Sequence, residues 1–241
     1  FEAFLSFIPI TIFILILVFI AWKLAGRGMA AFTLVGLLLL VSMNLWDDTM
    51  HTLALIITAT FISLIIGIPL GILASHNDLA ENIMRPLLDF MQTMPIFVYL
   101  LPAVMFFSIG VVPAVLATVV FSMPPAIRLT NLGIRQVPAE MIEAAASFGS
   151  TPFQMLTKVQ LPLALPSIMA GINQCIMLAL SMAVVSAMIG ASGLGSIVYR
   201  ATTRLQIGIG FEGGLGVVII AIILDRITQS LAREPSEKNG A

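Results

Sequence analysis

The chain has 241 residues, of which 59% are hydrophobic and only 10% are charged, with 11 Lys or Arg against 12 Asp or Glu. Soluble domains carry roughly 25% charged residues, so this composition excludes a soluble globular protein, and it excludes disorder, which requires high charge and low hydrophobicity. The formal net charge of −1 lacks the basic excess of a nucleic-acid-binding protein. We therefore predict a protein embedded in a lipid bilayer.

Long apolar runs follow one another along the chain. A transmembrane helix needs about 20 predominantly apolar residues, and a scan for such runs finds about seven. The runs are continuous, unlike the alternating segments of an outer-membrane barrel, so we predict an all-α, polytopic transmembrane helical bundle. The predicted spans cover residues 5–22, 29–46, 53–75, 86–109, 112–127, 163–189 and 213–231.

Lys and Arg are distributed unevenly between the two sides of the predicted bundle. Cytoplasmic segments carry the excess of these residues, so we place the turn at residues 23–28 inside and alternate sides from there. The inner segments then hold nine Lys or Arg, and the outer segments hold only Arg200 and Arg204. This predicts an outer N-terminus and a cytoplasmic C-terminus. The two outer arginines are candidates for contact with an extracytoplasmic protein, and ordinary solvated charges are the alternative.

Prolines interrupt the fourth predicted span. Pro95 and Pro102 each remove a backbone hydrogen bond inside the membrane, and neighbouring helices or a cavity must satisfy the freed groups. Two interpretations remain open. The prolines either kink the span for packing alone, or they belong to a pathway or gate lined by Met94, Pro95, Tyr99 and Pro102.

Residues 128–162 do not have the composition of a span, and they contain the signals of two short helices. Gly149 suits the left-handed residue that follows a helix end. A second helix start follows at Ser150 or Thr151, and Pro162 is expected to stop that helix. Both an interfacial helix pair that only joins two spans and a docking element for a cytoplasmic partner fit this pattern.

The order of residues in this segment resembles the EAA loop of ABC importer membrane subunits, whose pattern is E-A-A-x3-G-x9-I-x-L-P. Here it reads Glu143-Ala144-Ala145, three residues, Gly149, nine residues and Val159-Gln160-Leu161-Pro162, with Val159 as the one departure, in place of Ile. Within that class, residues 128–135, 188–195, 205–214 and 219–229 resemble the glycine betaine/proline permeases. The resemblance covers residues 49–231.

The resemblance implies a type I ABC importer permease fold and a coupling mechanism. The helix at Glu143 would sit in a cleft of a separate ATPase subunit, where Ala144 and Ala145 keep the docking face small. Gly149 would permit a sharp turn and a close approach, and Leu161 with Pro162 would end the loop and set its angle. The chain then divides into two accessory helices over residues 1–48, a permease core over 49–231 with its coupling loop at 128–162, and a cytoplasmic tail over 232–241.

Partners follow from the same resemblance. None of the lysines, Lys23, Lys158 and Lys238, lies in the G-x-x-x-x-G-K-[ST] context of a P-loop, so we expect ATP and Mg²⁺ to bind a partner ATPase and this chain to hold no cofactor. One EAA loop per chain implies two permease copies, two ATPases and an extracytoplasmic binding protein in a prokaryotic inner membrane. His51 and His76 fall on opposite membrane sides, so no metal site is expected.

The predicted function is the permease of an ATP-driven importer for glycine betaine or proline-type compatible solutes. An ABC permease for amino acids such as methionine is the alternative within the class. A secondary transporter or channel that works alone is the alternative outside it, and that protein would need charges in mid-membrane and no coupling loop. Since the chain begins at Phe1 rather than Met, we expect that further residues precede it.

Overall fold

The computed structural model describes residues 7–232, so the start of the first predicted span and residues 233–241 of the predicted tail lie outside the described residues. Within that range all regular structure is helical. The helices are α1 (Ile10–Ala25), α2 (Arg27–Ser42), α3 (Trp46–His76), α4 (Asp78–Thr93), α5 (Ile96–Phe107), α6 (Val111–Arg135), α7 (Ala139–Ser147), α8 (Pro152–Met155), a π-helical segment (Leu156–Gln160), α9 (Leu161–Ala187), α10 (Leu194–Thr203) and α11 (Ile207–Ala232).

Four helical stretches are long and apolar enough to cross a membrane, namely Trp46–His76, Val111–Arg135, Pro152–Ala187 and Ile207–Leu231. Helices α1 and α2 have 16 residues each. At 1.5 Å per residue each is about 24 Å long, which is less than the hydrocarbon core of about 30 Å. The expectation of about seven spans is therefore not confirmed. The described residues contain four spans by length and composition, or five if α4 and α5 form one broken span.

The fourth predicted span is broken where α4 meets α5 at an angle of 95°. Met94 precedes a proline and has the extended backbone (φ −67°, ψ 136°) that this position favours. Pro95 then caps the start of α5 with φ −56°. The bend therefore follows from the local sequence, whereas Pro102 lies inside α5 without ending it.

Helices α3, α6 and α9 form the centre of the bundle and approach each other at small residues. A Cβ atom on Gly71 of α3 would lie 2.7 Å from the Ile127 carbonyl oxygen of α6, and one on Gly171 of α9 would lie 3.2 Å from the Pro125 carbonyl oxygen. Buried hydroxyls join the same helices, since the side-chain oxygens of Ser63 and Ser122 are 3.2 Å apart. Small residues and interhelical hydrogen bonds are the usual means by which helices associate in lipid, where apolar burial gives no preference.

Hydrogen bonds made by the turns show which turns lie together at each end of the bundle. At one end, Gly110 N–H donates to the Ile189 oxygen at 2.9 Å, and Leu194 N–H donates to Thr52 Oγ1 at 2.8 Å. At the other end, Arg135 donates to the Ala74 oxygen at 2.9 Å. The turns around residues 108–110, 188–193 and 203–206 therefore lie opposite the loop that links α6 to α8.

Candidate functional site

The loop of residues 136–151 carries α7 and leaves most of its residues exposed. Helix α7 contains no buried residue, and Glu143 and Ala144 are exposed while Ala145 is half-buried. Phe148, which caps its end, is 92% exposed. An apolar side chain so exposed is open to contact with another molecule, which fits both an interfacial helix and a docking element.

Gly149 ends α7 in the left-handed conformation that the sequence predicts, with φ +78°. Ser150 N–H donates to the Ala145 oxygen at 3.1 Å and Gly149 N–H donates to the Ala146 oxygen at 2.9 Å, which together form a Schellman cap. A Cβ atom on Gly149 would meet nothing within 4 Å among residues 7–232, its two chain neighbours aside. The glycine is thus required here by its backbone angle, and the space around it is empty.

The second helix start lies at Thr151, one of the two residues predicted. Gln154 N–H donates to Thr151 Oγ1 at 3.3 Å, and Thr151 N–H donates to Gln154 Oε1 at 3.0 Å. This reciprocal pair is a capping box. It fixes the direction in which the chain leaves Gly149.

The prediction that Pro162 stops the second helix is wrong. Helical structure runs from α8 through the π-helical segment Leu156–Gln160 into α9, and Leu161 N–H donates to the Leu156 oxygen, five residues back. A proline ring would clash with the carbonyl oxygen four residues earlier in an α-helix, and the wider π turn relieves that clash. Because α6 also extends to Arg135, the loop is shorter than the predicted 128–162.

The end of the motif packs against the base of α6. Leu161 is half-buried and contacts the small apolar cluster of Ile134, Ala164 and Ile168. Val159 is half-buried, while Pro162 is exposed. The structure therefore separates the predicted coupling residues into an exposed set, Glu143, Ala144 and Gly149, and an anchoring residue, Leu161.

Two contacts at this end of the bundle were not predicted from the sequence. His76, at the end of α3, has Nε2 3.1 Å from Gln160 Oε1 in the π-helical segment. Arg128 and Arg135 of α6 pair with carboxylates of α4. Sequence spacing could have suggested the second contact, because Asp78, Glu81, Asp89 and the two arginines recur at helical intervals. No cluster of metal-binding side chains occurs within residues 7–232.

Three of the four predicted pathway residues line one groove between α5 and α6. Met94, Tyr99 and Pro102 border this groove, which has a volume of about 310 Å³, together with apolar residues of both helices. Tyr99 packs edge-on against Phe121, and its buried hydroxyl has no hydrogen-bond partner in the described part of the chain. Pro95 does not line the groove but forms the bend before it.

Arg200 and Arg204 lie on and just after α10, at the end of the bundle opposite α7. Both are exposed, and Arg200 Nε donates to the Ser196 oxygen at 3.2 Å. The preceding Gly-Leu-Gly turn is tightly packed, since a Cβ atom on Gly195 would collide with the Ala183 carbonyl oxygen. The two guanidinium groups are therefore presented from a firmly held short helix.

Comparisons with known proteins agree with this arrangement. A family model described as a binding-protein-dependent transport system inner membrane component matches residues 67–235. The chain is 54% identical over 237 residues to the glycine betaine transport system permease protein OpuAB of Bacillus subtilis, covering 98% of this chain and 84% of that protein. It is 52% identical over 238 residues to the glycine betaine/carnitine transport permease protein GbuB of Listeria monocytogenes, covering 97% and 84%.

A solved structure shares the fold. An inward-facing conformation of the MetNI methionine ABC transporter matches with a TM-score of 0.73 at 22% identity, covering 78% of this chain and 94% of that one. The predicted type I ABC permease fold is confirmed by this likeness, which at such identity concerns the fold alone.

Proposed function

Because this chain belongs to the family of inner membrane components of binding-protein-dependent transport systems, we propose that it is the membrane permease of an ATP-driven importer for glycine betaine or a closely related compatible solute. The observation that carries the mechanism is helix α7, which has no buried residue and ends at Gly149. The substrate assignment is supported by the relatives that are 52–54% identical over nearly the whole chain.

The coupling step is assigned to the loop of residues 136–151. Glu143 and the two alanines after it form the face that enters a groove on a separate ATPase subunit, and Gly149 allows that subunit to approach the backbone closely. The capping box at Thr151 and the packing of Leu161 make the loop a rigid extension of α9. When the ATPases close on ATP, displacement of α7 therefore moves whole helices as rigid bodies.

The assembly we propose contains two copies of this permease, two ATPase subunits and an extracytoplasmic binding protein. ATP and Mg²⁺ bind the ATPases, and this chain catalyses no reaction. The α7 end of the bundle faces the cytoplasm, because most of the Lys and Arg residues lie at that end. Arg200 and Arg204, at the opposite end, face the binding protein, and the groove at Met94, Tyr99 and Pro102 borders the solute pathway.

Uptake of labelled glycine betaine into proteoliposomes tests this proposal. The vesicles contain the chain with its ATPase and binding protein, and uptake is measured with and without internal ATP. We expect accumulation that requires ATP and is competed by proline betaine but not by methionine. Competition by methionine alone would change the proposed substrate but leave the assignment as an ATP-driven importer. Uptake that does not depend on ATP would contradict the proposal entirely.

A further inference from the structure

Helix α4 has one apolar and one charged face. Leu79, Ile83, Leu87 and Phe90 are all exposed on the first face. The carboxylates on the other face point toward α6 across a cavity of about 380 Å³. Leu88 is the only residue of this helix that is buried in the described structure, so polar contacts contribute to holding the helix against the bundle.

Three ion pairs join α4 to α6 at this cavity, which four of their five residues line, namely Glu81, Asp89, Arg128 and Arg135. Asp89 Oδ1 lies 2.6 Å from Arg128 Nη2. Asp78 Oδ1 lies 2.7 Å from Arg135 Nη2, and Glu81 Oε2 lies 2.8 Å from the same atom. We call these five side chains the charge ladder. The pairs are partly exposed, and such pairs contribute little to stability, but a ladder of charges fixes the register of one helix against another.

Arg135 extends the ladder to a third helix. It donates to the Ala74 oxygen in α3 at 2.9 Å, and its Nε donates to Asn131 Oδ1 at 3.1 Å. Asn131 Nδ2 in turn donates to Glu81 Oε1 at 3.3 Å. The guanidinium group thus donates a hydrogen bond to a carbonyl oxygen at the end of α3 and also pairs with carboxylates of α4. A displacement of Arg135 would therefore alter its contacts with both helices.

The ladder lies between the two parts of the molecule that transport must link. Arg135 is the last residue of α6, and only residues 136–138 separate it from α7. At its other end α4 leads through the 95° bend into α5, which carries Tyr99 and Pro102 on the groove. Motion of α7 can therefore reach the groove through α6, the charge ladder, α4 and the bend.

We propose that the charge ladder consists of positioning residues for transport, which make α4 follow the displacement of α7 and so open or close the groove. This inference rests on the proposed function. It assigns to Asp78, Glu81, Asp89, Arg128 and Arg135 a role in linking ATP hydrolysis to movement of the solute, rather than in binding either of them.

The test measures solute uptake and ATP hydrolysis in the same proteoliposomes. In Asp89→Asn, Arg128→Gln and Arg135→Gln, hydrolysis stays near the wild-type rate while uptake per ATP falls about two- to thirtyfold, the range expected when a coupling contact is removed. The charge-reversed pair Asp89→Arg with Arg128→Asp restores uptake per ATP. Arg85→Gln is the matched control, because Arg85 lies on α4 and lines the same cavity but makes no ion pair within residues 7–232.

Three results would overturn the inference. Uptake per ATP could stay unchanged in the single variants, or it could fall equally in Arg85→Gln, or the reversed pair could fail to recover it. The first of these results includes a proportional loss of hydrolysis and uptake, because the ladder would then serve folding or assembly alone. Failure of the proposed function can be told apart from failure of the charge-ladder inference. If the proposed function is wrong, the wild-type protein itself shows no ATP-dependent uptake.

Discussion

At the scale of single residues, Gly149 and Gly195 show two different reasons for a glycine. Gly149 has a positive φ of +78° and empty space around it, whereas a side chain on Gly195 would strike the Ala183 backbone. The first is required by backbone conformation and, in our proposal, by a partner. The second is required by packing inside this chain.

Replacing Gly149 by Asn separates backbone conformation from docking. Asn tolerates the left-handed region, so we expect a cost in folding free energy of about 1 kcal/mol or less and a thermal midpoint in detergent close to that of wild type. Uptake should nevertheless fall about tenfold or more, equivalent to about 1.4 kcal/mol of lost coupling, because the added side chain obstructs the ATPase.

Gly26→Asn is the control for that variant. Gly26, between α1 and α2, has φ +89° and also has no atom within 4 Å of an added Cβ, and its ψ of 178° is less favourable for other residues. It should keep wild-type uptake per folded protein. Normal uptake in Gly149→Asn would remove the docking role from this glycine.

Gly195→Ala should destabilise the chain by about 1–3 kcal/mol, the usual cost of overpacking, because the new methyl group overlaps the Ala183 oxygen. Gly214→Ala is the matched control, since Gly214 is also helical but has no atom within 4 Å of an added Cβ. Thermal unfolding followed by size-exclusion chromatography measures both. Equal midpoints for the two variants would show that α10 is not packed as described.

At the scale of elements, the π-helical segment sets the orientation of α7 relative to α9. One residue of an α-helix corresponds to about 100° of rotation. Conversion of Leu156–Gln160 to α-helix would therefore rotate α7 and α8 about the axis of α9. We infer that Pro162 favours the wider turn, because in a regular α-helix its ring would crowd the carbonyl oxygen four residues earlier. On this inference the motif's proline acts through the rotational phase of the helix, and the structure shows that it does not end the helix.

Pro162→Ala tests this role. Without the ring the segment can return to α-helix, so we expect a chain at least as stable as wild type whose uptake per ATP is lower by about two- to thirtyfold. Pro166→Ala is the control, since Pro166 lies one turn later within α9, where no π turn precedes it. Unchanged uptake per ATP in Pro162→Ala, measured beside ATP hydrolysis, would contradict the phase argument.

Much of the local structure was predictable because its causes are local. The turn at Gly149, the cap at Thr151 and the break at Met94-Pro95 each depend on a few neighbouring residues. The length of the loop was not predictable, because the continuation past Pro162 depends on a π turn stabilised by packing of Leu161 on α6. The pairing of Arg135 with α4 joins residues more than 50 positions apart, so it too depends on how the helices pack, although the helical spacing of these charges is consistent with it.

At the scale of the whole molecule, the two ends of the bundle differ in charge and in the surfaces they present. Helix α7 and the charge ladder lie at one end, and Arg200, Arg204 and the exposed Leu205 lie at the other. In our proposal this asymmetry gives the molecule a direction across the membrane, with the α7 end and its excess of positive residues in the cytoplasm.

Cysteine accessibility checks that direction. In oriented cells or vesicles, Ser150→Cys should react with a membrane-impermeant maleimide only from the cytoplasmic side, and Leu205→Cys, at a position 86% exposed, only from outside. The native Cys175 is buried, so it should give no background in the unaltered chain. Labelling of Ser150→Cys from outside would invert the orientation.

The empty space around Gly149 also bears on where a defect at that position can be repaired. Within residues 7–232, and apart from its two chain neighbours, nothing lies within 4 Å of a Cβ atom added to this glycine that could be altered in compensation. In a genetic selection that restores growth to cells carrying Gly149→Asn, second-site suppressors should therefore map to the gene for the ATPase. The permease gene and the ATPase gene would then coevolve at this position. A substitution at codon 149 would be functional only in combination with a compensating substitution in the ATPase.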